Sequence, residues 1–416
     1  MKEEKSKFVF SISVLLLLII YGIFSVIYII NGYRSRNVLE NRSINWAELY
    51  PLDDDNHPSD GSDTQASGSI FDKYESLPFV NLAERISASD TYRNDLLLGI
   101  GAYASSLVSD YSIRNSKVRL TNGYWVQMRS KDDMNGIVDS YIELSAKADA
   151  LNIPFIYIQT PYKEALTPQN MPWGINNSKN SNIDVFLNKL RSKGINCLDL
   201  RNIADTSDNP YSYFYKTDHH WNTALALKAS GIISEELKTY YGIDMDTSLM
   251  NTVNYKPVTY RQAMFGGAAK EVGHLNEAPE DFTILYPVFD TDFRYINPSK
   301  AVDCTGSFAD VMIDYTLLDD AISNGGDEVN EVMNYGNCPL VEITNLNYKK
   351  GPRILLIKDS YGSTLAPYFA LSCGELDLID PRPYAGNFNG SILNYICKNK
   401  PDIILIMQYY PEALPS

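Results

Sequence analysis

Three runs in this chain, IPFIYIQT (153–160), RILLIK (353–358) and DIILIMQ (402–408), are apolar at nearly every position. A strand with one wet face alternates apolar and polar residues. A continuous run of strand length fits a strand buried on both faces. Two further runs, INCLDL (195–200) and ELDLID (375–380), are of similar length. Sheets buried on both faces are typically parallel and need helices as crossovers.

The intervening segments supply those helices. SKDD (130–133) places Ser130 and Asp133 at capping-box spacing, ahead of Met134, Ile137, Val138, Tyr141 and Ile142 at helical period. IDVFLNKLRSKG ends on Gly194, a natural residue just past a helix C-terminus. NTALALKASGIISEELKTYY, YGSTLAPYFALS and GSILNYICKNK complete the set. The expected fold class is therefore α/β: a three-layer parallel sheet with helices on both faces. The alternation lapses at about 243–350, which reads as a long insertion or an elaborated crossover.

The first 75 residues are different. Phe8–Ile30 carries no charge, long enough to span the roughly 30 Å hydrocarbon core of a bilayer. IINGYRSR follows it, a poor signal-peptidase site, so an uncleaved transmembrane helix is expected. Lys2, Lys5 and Lys7 precede the run, and Arg34, Arg36 and Arg42 follow it, so flanking charge leaves the orientation nearly balanced. PLDDDNHPSDGSDTQASGSI (51–70) is too polar to build a core and fits a flexible spacer. The expected organisation is a cytoplasmic tail and anchor (1–33), a linker (34–75) and a catalytic domain (76–416). The expected location is the cell membrane, with a single pass and the C-terminal domain outside. The net charge of −15 excludes nucleic acid as a natural partner. Five scattered cysteines without a CxxC pair exclude a zinc knuckle, and nothing in the sequence calls for a cofactor.

In open α/β sheets, ligands bind at the C-terminal ends of the strands. RILLIKDSYGSTLAPYF puts Asp359 and Ser360 there, between a buried strand and a helix. A serine so placed can act as a nucleophile, with free helix N-terminal N–H groups nearby for an oxyanion. Alternatively, Asp359 or Ser360 simply caps the helix. A serine nucleophile needs a base and an orienting acid. The chain has four histidines, and two stand together in YKTDHHWNT. Asp218 and His220 are two residues apart, so on an extended segment their side chains point the same way. Asp218 would then orient His220, His219 would point elsewhere, and Trp221 would pack at the start of the next helix. Two other readings stay open from the residues alone: a metal site, which would need further ligands beyond the pair, and a structural histidine pair on Asp218.

TDHHWN, ILLIKDSYGSTLAPYFA and DLIDPRPY together resemble the DHHW family of bacterial surface proteins. That family is similar to the alginate O-acetyltransferase proteins, whose fold is SGNH-hydrolase-like but permuted, with the D-x-H block ahead of the serine block. The resemblance runs from about residue 85 to the end, and NGYWV, FGGAAKEVG and GNCPLVEITN belong to it. It implies Ser360 as nucleophile, His220 as base and Asp218 as the orienting acid. Lys358 stands where SGNH hydrolases have the glycine of GDS, and Gln408, Tyr409 and Tyr410 stand where their oxyanion asparagine is expected. The Ser360 N–H is then the safest oxyanion donor. Arg382, Tyr384, Gln408, Lys163 and His219 are the expected substrate-binding residues, with no metal.

The implied function is an exported, membrane-anchored serine acyl-ester enzyme. It would be an O-acetyltransferase or esterase acting on a cell-surface polysaccharide, with a membrane-bound acyl-donor protein as a candidate partner. The alternative is a non-catalytic polysaccharide-binding or scaffold protein on the same fold.

Overall fold

The computed structural model describes residues 113–114, 117–166, 170–172, 175–205, 208–273, 276–382 and 391–414. All lie in the second of the two units into which the chain divides, Ala102–Ser416. The run Phe8–Ile30, the spacer 51–70 and Tyr384 lie outside the described residues. Among the described residues, no helix is long and apolar enough to cross a membrane.

The strands are β1 (Ile113–Arg114), β2 (Lys117–Arg119), β3 (Trp125–Gln127), β4 (Phe155–Gln159), β5 (Asn196–Asp199), β6 (Tyr255–Met264), β7 (Glu280–Pro287), β8 (Phe293–Asn297), β9 (Val302–Gly306), β10 (Leu340–Asn345), β11 (Arg353–Lys358), β12 (Glu375–Ile379) and β13 (Ile403–Gln408). The principal helices are α1 (Asn135–Ala150), α2 (Lys163–Leu166), α3 (Lys179–Ser192), α4 (Thr223–Tyr241), α5 (Gly267–Val272), α6 (Phe308–Val311), α7 (Tyr315–Ser323), α8 (Ser360–Phe369) and α9 (Ile392–Asn399).

The central sheet has eight strands in the order β5-β4-β13-β11-β12-β10-β8-β9. The five strands read from the apolar runs form its parallel half. Every residue of β4 and β13 is buried, as both-face cover demands. α1 and α3 supply cover at Tyr157, whose ring meets Tyr141 at 5.6 Å and Phe186 at 5.0 Å. Asn222 caps α4 by accepting from the Leu225 N–H, and Gly242 ends it in the left-handed region.

Two expectations need correction. The sheet is mixed, not wholly parallel: β10, β8 and β9 extend it antiparallel from β12. They come from the 243–350 region. Their half-buried patterns, with buried and partly exposed residues alternating along β10, give a weaker apolar signal than a doubly covered strand. The SKDD segment makes no capping box, because α1 starts at Asn135 with no side-chain cap. Asp132 instead accepts from the Tyr410 phenol at 2.5 Å, and its N–H donates to Asn182 at 3.2 Å. All five cysteines are free thiols.

The antiparallel extension sets two carboxylates directly opposite each other, Glu342 on β10 and Asp377 on β12. Burial first, then the Glu342 charge, pushes the Asp377 carboxyl up to about 6 against the pull of Arg353. A carboxyl raised from 3.8 in the fold stabilises it most below that value, and the contribution is lost as pH rises through about 6. Asp377→Asn should therefore match the parent's stability near pH 4 and exceed it by about 2 kcal/mol at neutral pH. Urea unfolding across that range checks this, and equal stability of the two proteins at neutral pH contradicts it.

Candidate active site

The C-terminal ends of β11, β12 and β13 deliver Ser360, Arg382 and Tyr409, and the loop ahead of α4 delivers Asp218 and His220. After β11, Asp359 caps α8: its Oδ1 accepts from the Tyr361 N–H at 2.9 Å and its Oδ2 from the Tyr409 N–H at 2.5 Å. One carboxylate thus ties the start of α8 to the end of β13. Ser360 is the first residue of α8, and its N–H has no acceptor among the described residues. Gly362 is required one turn in. A Cβ there would lie 2.5 Å from Lys358 Cβ, so only glycine lets the helix rise this close to its strand. Lys358 itself is buried, donating to Ser363 Oγ at 2.8 Å and lying 3.4 Å from Asp380.

His220 Nε2 lies 2.7 Å from Ser360 Oγ, and its Nδ1 lies 2.5 Å from Asp218 Oδ1. Asp218 and His220 are buried. Their segment is a compact loop of bends, not the extended segment expected. The Phe214–Trp221 bridge closes it, and Asp218 Oδ1 accepts from the His220 N–H at 2.9 Å. That aspartate turn brings the two side chains together without an extended backbone. Burial opposes the Asp218 charge, but both imidazoles and the His220 hydrogen bonds hold its carboxyl well below the ordinary value.

Asp218, His219 and His220 offer three converging ligand atoms. The 2.5 Å separation of Asp218 Oδ1 and His220 Nδ1 is nevertheless that of a hydrogen bond. Two atoms each bound to one tetrahedral zinc would stand roughly 3.3 Å apart.

The loop is held from three sides. Lys163 is buried, and its Nζ donates to the carbonyls of Tyr215 at 2.7 Å and Asp218 at 2.5 Å. Burial pulls that ammonium down to about 8. Glu280 accepts from the N–H groups of Lys216 and Thr217 and from the Thr217 hydroxyl. Gly267 donates its N–H to Asp218 Oδ2 at 3.1 Å. Tyr361, next to Ser360, donates its phenol to the carbonyl of His219 and stacks on Tyr409 with ring centres 5.0 Å apart. Trp221 is buried against Tyr361.

A cleft of about 310 Å³ opens on Ser360 and His220, and His219, Arg382, Arg129 and Asn337 are among its lining residues. His219 keeps its ring partly exposed, 3.9 Å from that of His220. Arg382 is gripped by Asp380 and donates to Asn337 Oδ1 at 3.1 Å. Two expected substrate-binding residues are elsewhere. Lys163 is neither a cleft residue nor an exposed one, because its charge is engaged by the loop carbonyls. Gln408 turns its Oε1 to the Tyr141 phenol and the Glu412 N–H, away from the cleft. Lys163 opens helix α2, and Gln408 ends a fully buried strand. The partners that engage Lys163 leave no mark in local sequence, whereas the apolar run 402–408 already placed Gln408 at the end of a buried strand. Glu280 and Tyr361 were not singled out from sequence, since an isolated glutamate and one tyrosine among 30 carry no pattern.

The sequence matches the family model described as the SGNH hydrolase-like domain of the acetyltransferase AlgX, over residues 129–272. That span includes Asp218 and His220 and stops short of Ser360. No curated protein matches. Among solved structures, PatB1 from Bacillus cereus is 18% identical, with a TM-score of 0.57, covering 70% of this chain and 95% of that one. The structure of PatB1 with a sulfonyl adduct is similar, at 18% identity, a TM-score of 0.55 and coverage of 69% and 93%. A DHHW family protein from Eubacterium siraeum is 19% identical, with a TM-score of 0.55 and coverage of 71% and 91%. The chain thus resembles the SGNH hydrolase-like domain of AlgX over residues 129–272, and it shares its fold with PatB1 and the DHHW family protein.

Gly266 passes against the loop so closely that a Cβ would lie 2.5 Å from Asp218 Cβ and 2.6 Å from the Thr217 carbonyl. Gly266→Ala should cost about 2 kcal/mol or more, since the backbone on one side must give way. Gly136→Ala, in α1 with open space around it, should be neutral or gain up to about 1 kcal/mol. Thermal denaturation of the two variants checks this, and equal midpoints would contradict the close approach.

Proposed function

We propose that this protein is a serine-dependent acyl-ester enzyme that moves an acyl group, acetate by resemblance, to or from a polysaccharide. The observation that carries the reading is the hydrogen-bonded chain Asp218–His220–Ser360, with its serine end open to the cleft. In the first step Ser360 Oγ attacks the ester carbonyl as His220 Nε2 takes its proton. The negative charge formed on the carbonyl oxygen meets the uncommitted Ser360 N–H, with Arg382 and Asn337 as further donors lining the cleft. The C–O bond to the donor breaks, and the departing oxygen takes the proton from His220. In the second step a sugar hydroxyl or water gives its proton to His220 and attacks the acyl-serine. Ser360 then regains its proton. Asp218, held ionised, keeps the Nδ1 proton of His220 in place and stabilises the imidazolium. Transfer and hydrolysis differ only in the second acceptor.

Location and partners extend this reading. The uncharged run Phe8–Ile30 supports an anchor, with the described unit outside the cell and a membrane-bound acyl donor as partner. Protease added to intact cells should then remove the residues beyond about 70. Protection until lysis would place the domain inside.

The central test is activity. Ser360→Ala and His220→Ala should each lower hydrolysis of an activated aryl acetate by about 10²–10⁴-fold, and the double variant should lose little more. Asp218→Asn should retain more. A sulfonyl fluoride should label Ser360 in the parent and far more slowly in His220→Ala. Polysaccharide binding by a parent that neither turns over an ester nor transfers acetate would establish the non-catalytic alternative.

A further inference from the structure

A buried ion pair behind the cleft takes no part in the steps above. Lys179 opens α3 and Glu164 lies in α2; both are buried, and Lys179 Nζ stands 3.2 Å from Glu164 Oε1. Two aromatic faces complete the surroundings of the ammonium. Its Nζ lies 3.2 Å from the centre of the Tyr409 ring and 4.1 Å from that of Tyr162. The same Glu164 oxygen accepts from the Tyr409 phenol at 3.1 Å and from the Gln127 N–H at 3.2 Å. One ion pair therefore grips Tyr409 at its face and at its hydroxyl. Stability is a weak reason for such a pair, because apolar residues of similar volume often serve as well or better.

Tyr409 is where this pair meets the site. It lines the cleft with Ser360, and its N–H is held by Asp359, the residue before that serine. Its ring stacks on Tyr361 with the planes 16° apart, and it lies 5.1 Å from the ring of His219. Tyr361 in turn lies 5.2 Å from the ring of His220, and its phenol holds the carbonyl of His219. Direct contacts thus run from the Lys179 ammonium through two stacked tyrosines to the His220 imidazole.

We infer that Lys179, as an ammonium, is a positioning residue for the acyl-transfer steps: with Glu164 it sets Tyr409 against Tyr361 and His219, and so sets His220 towards Ser360. This rests on the acyl-transfer reading above and adds a residue that acts on the site from outside the cleft. The charge matters, and the volume alone does not suffice. An amine that has lost its proton loses its attraction to both rings, and it leaves Glu164 as a buried carboxylate without its counter-ion. The charged and titratable groups around Lys179 are Glu164 and Lys163 on α2, Tyr162 before that helix, Tyr409 after β13, Arg129 ahead of α1, and His219. Burial pulls the ammonium down to about 7; Glu164 opposes that fall, and Arg129 and Lys163 add to it. The ammonium is therefore present below that value and lost as pH rises through it.

The test is the pH profile of aryl acetate turnover by the full-length protein in detergent. The parent's kcat/KM should rise as His220 loses its proton and fall again as the pH passes about 7. Lys179→Met, similar in length and uncharged, should be about tenfold or more slower on the acid side of that fall, and should lack the fall itself. On the alkaline side the two proteins should converge. Glu164→Gln keeps an acceptor for the Tyr409 phenol but removes the charge that favours the Lys179 proton, so it should move the fall to lower pH. A lysine that only fills space would change the rate by one factor at every pH. Circular dichroism establishes that each variant is folded, and should Lys179→Met not fold, Glu164→Gln decides. A parent without the alkaline fall, a fall that survives Lys179→Met, a Met variant as fast as the parent, or a fall that Glu164→Gln leaves in place would overturn the assignment. A parent that turns over no ester defeats the acyl-transfer reading instead. The placement is then read by NMR from the His220 imidazole resonances, which should show a step through about 7 that Lys179→Met lacks. Identical profiles in the two proteins overturn it.

Discussion

A buried ammonium group organises the loop on which the site depends. Asp218 and His220 lie on a segment with no regular hydrogen-bond ladder beyond one bridge. Lys163, the first residue of α2 after β4, reaches under it and takes two of its carbonyls, while Glu280 takes its N–H groups from the other side. Carbonyl oxygens satisfied by a cation and N–H groups satisfied by a carboxylate are charge-assisted bonds, roughly twice as strong as neutral ones. The loop is thereby fixed to α2 at one side and to β7 at the other. A mobile loop would leave His220 free to drift from Ser360, and in the proposed reaction a drift of about 1 Å would be enough to cost rate heavily.

The second constraint is the tie between the strand ends. Asp359 caps α8 and also holds the N–H of Tyr409, so the turn that presents Ser360 is locked to β13. Tyr361 then bonds the carbonyl of His219, which joins the start of α8 to the histidine loop. His220 and Ser360, 140 positions apart in sequence, are bridged by one 2.7 Å contact that these supports make possible. Glycine serves the same end at two places where backbone or strand passes too close for a Cβ, Gly266 and Gly362.

Charge in and around the cleft follows burial. Lys163 and Lys179 are pulled down by burial to about 8 and about 7, yet each has acceptors that justify its place. Lys358, where the resemblance would lead to a glycine, is accommodated because Gly362 leaves room above it and Asp380 lies beside it. The departure from the motif therefore changes how the strand end is filled while leaving Ser360 at the head of α8.

The sequence alone determined the parallel half of the sheet, because strands buried on both faces must be apolar throughout, a condition met by few other structures. It likewise marked Ser360 at a strand-to-helix turn and the pair Asp218 and His220 as candidates, since those residue types are conspicuous in a histidine-poor chain. Only the tertiary structure decided that β10, β8 and β9 continue the sheet, because a half-buried strand carries a diluted pattern. It also decided that Lys163 and Gln408 turn away from the cleft while Arg129 lines it. A side chain's role there depends on which partners reach it across long stretches of chain, and local sequence holds no record of that distance.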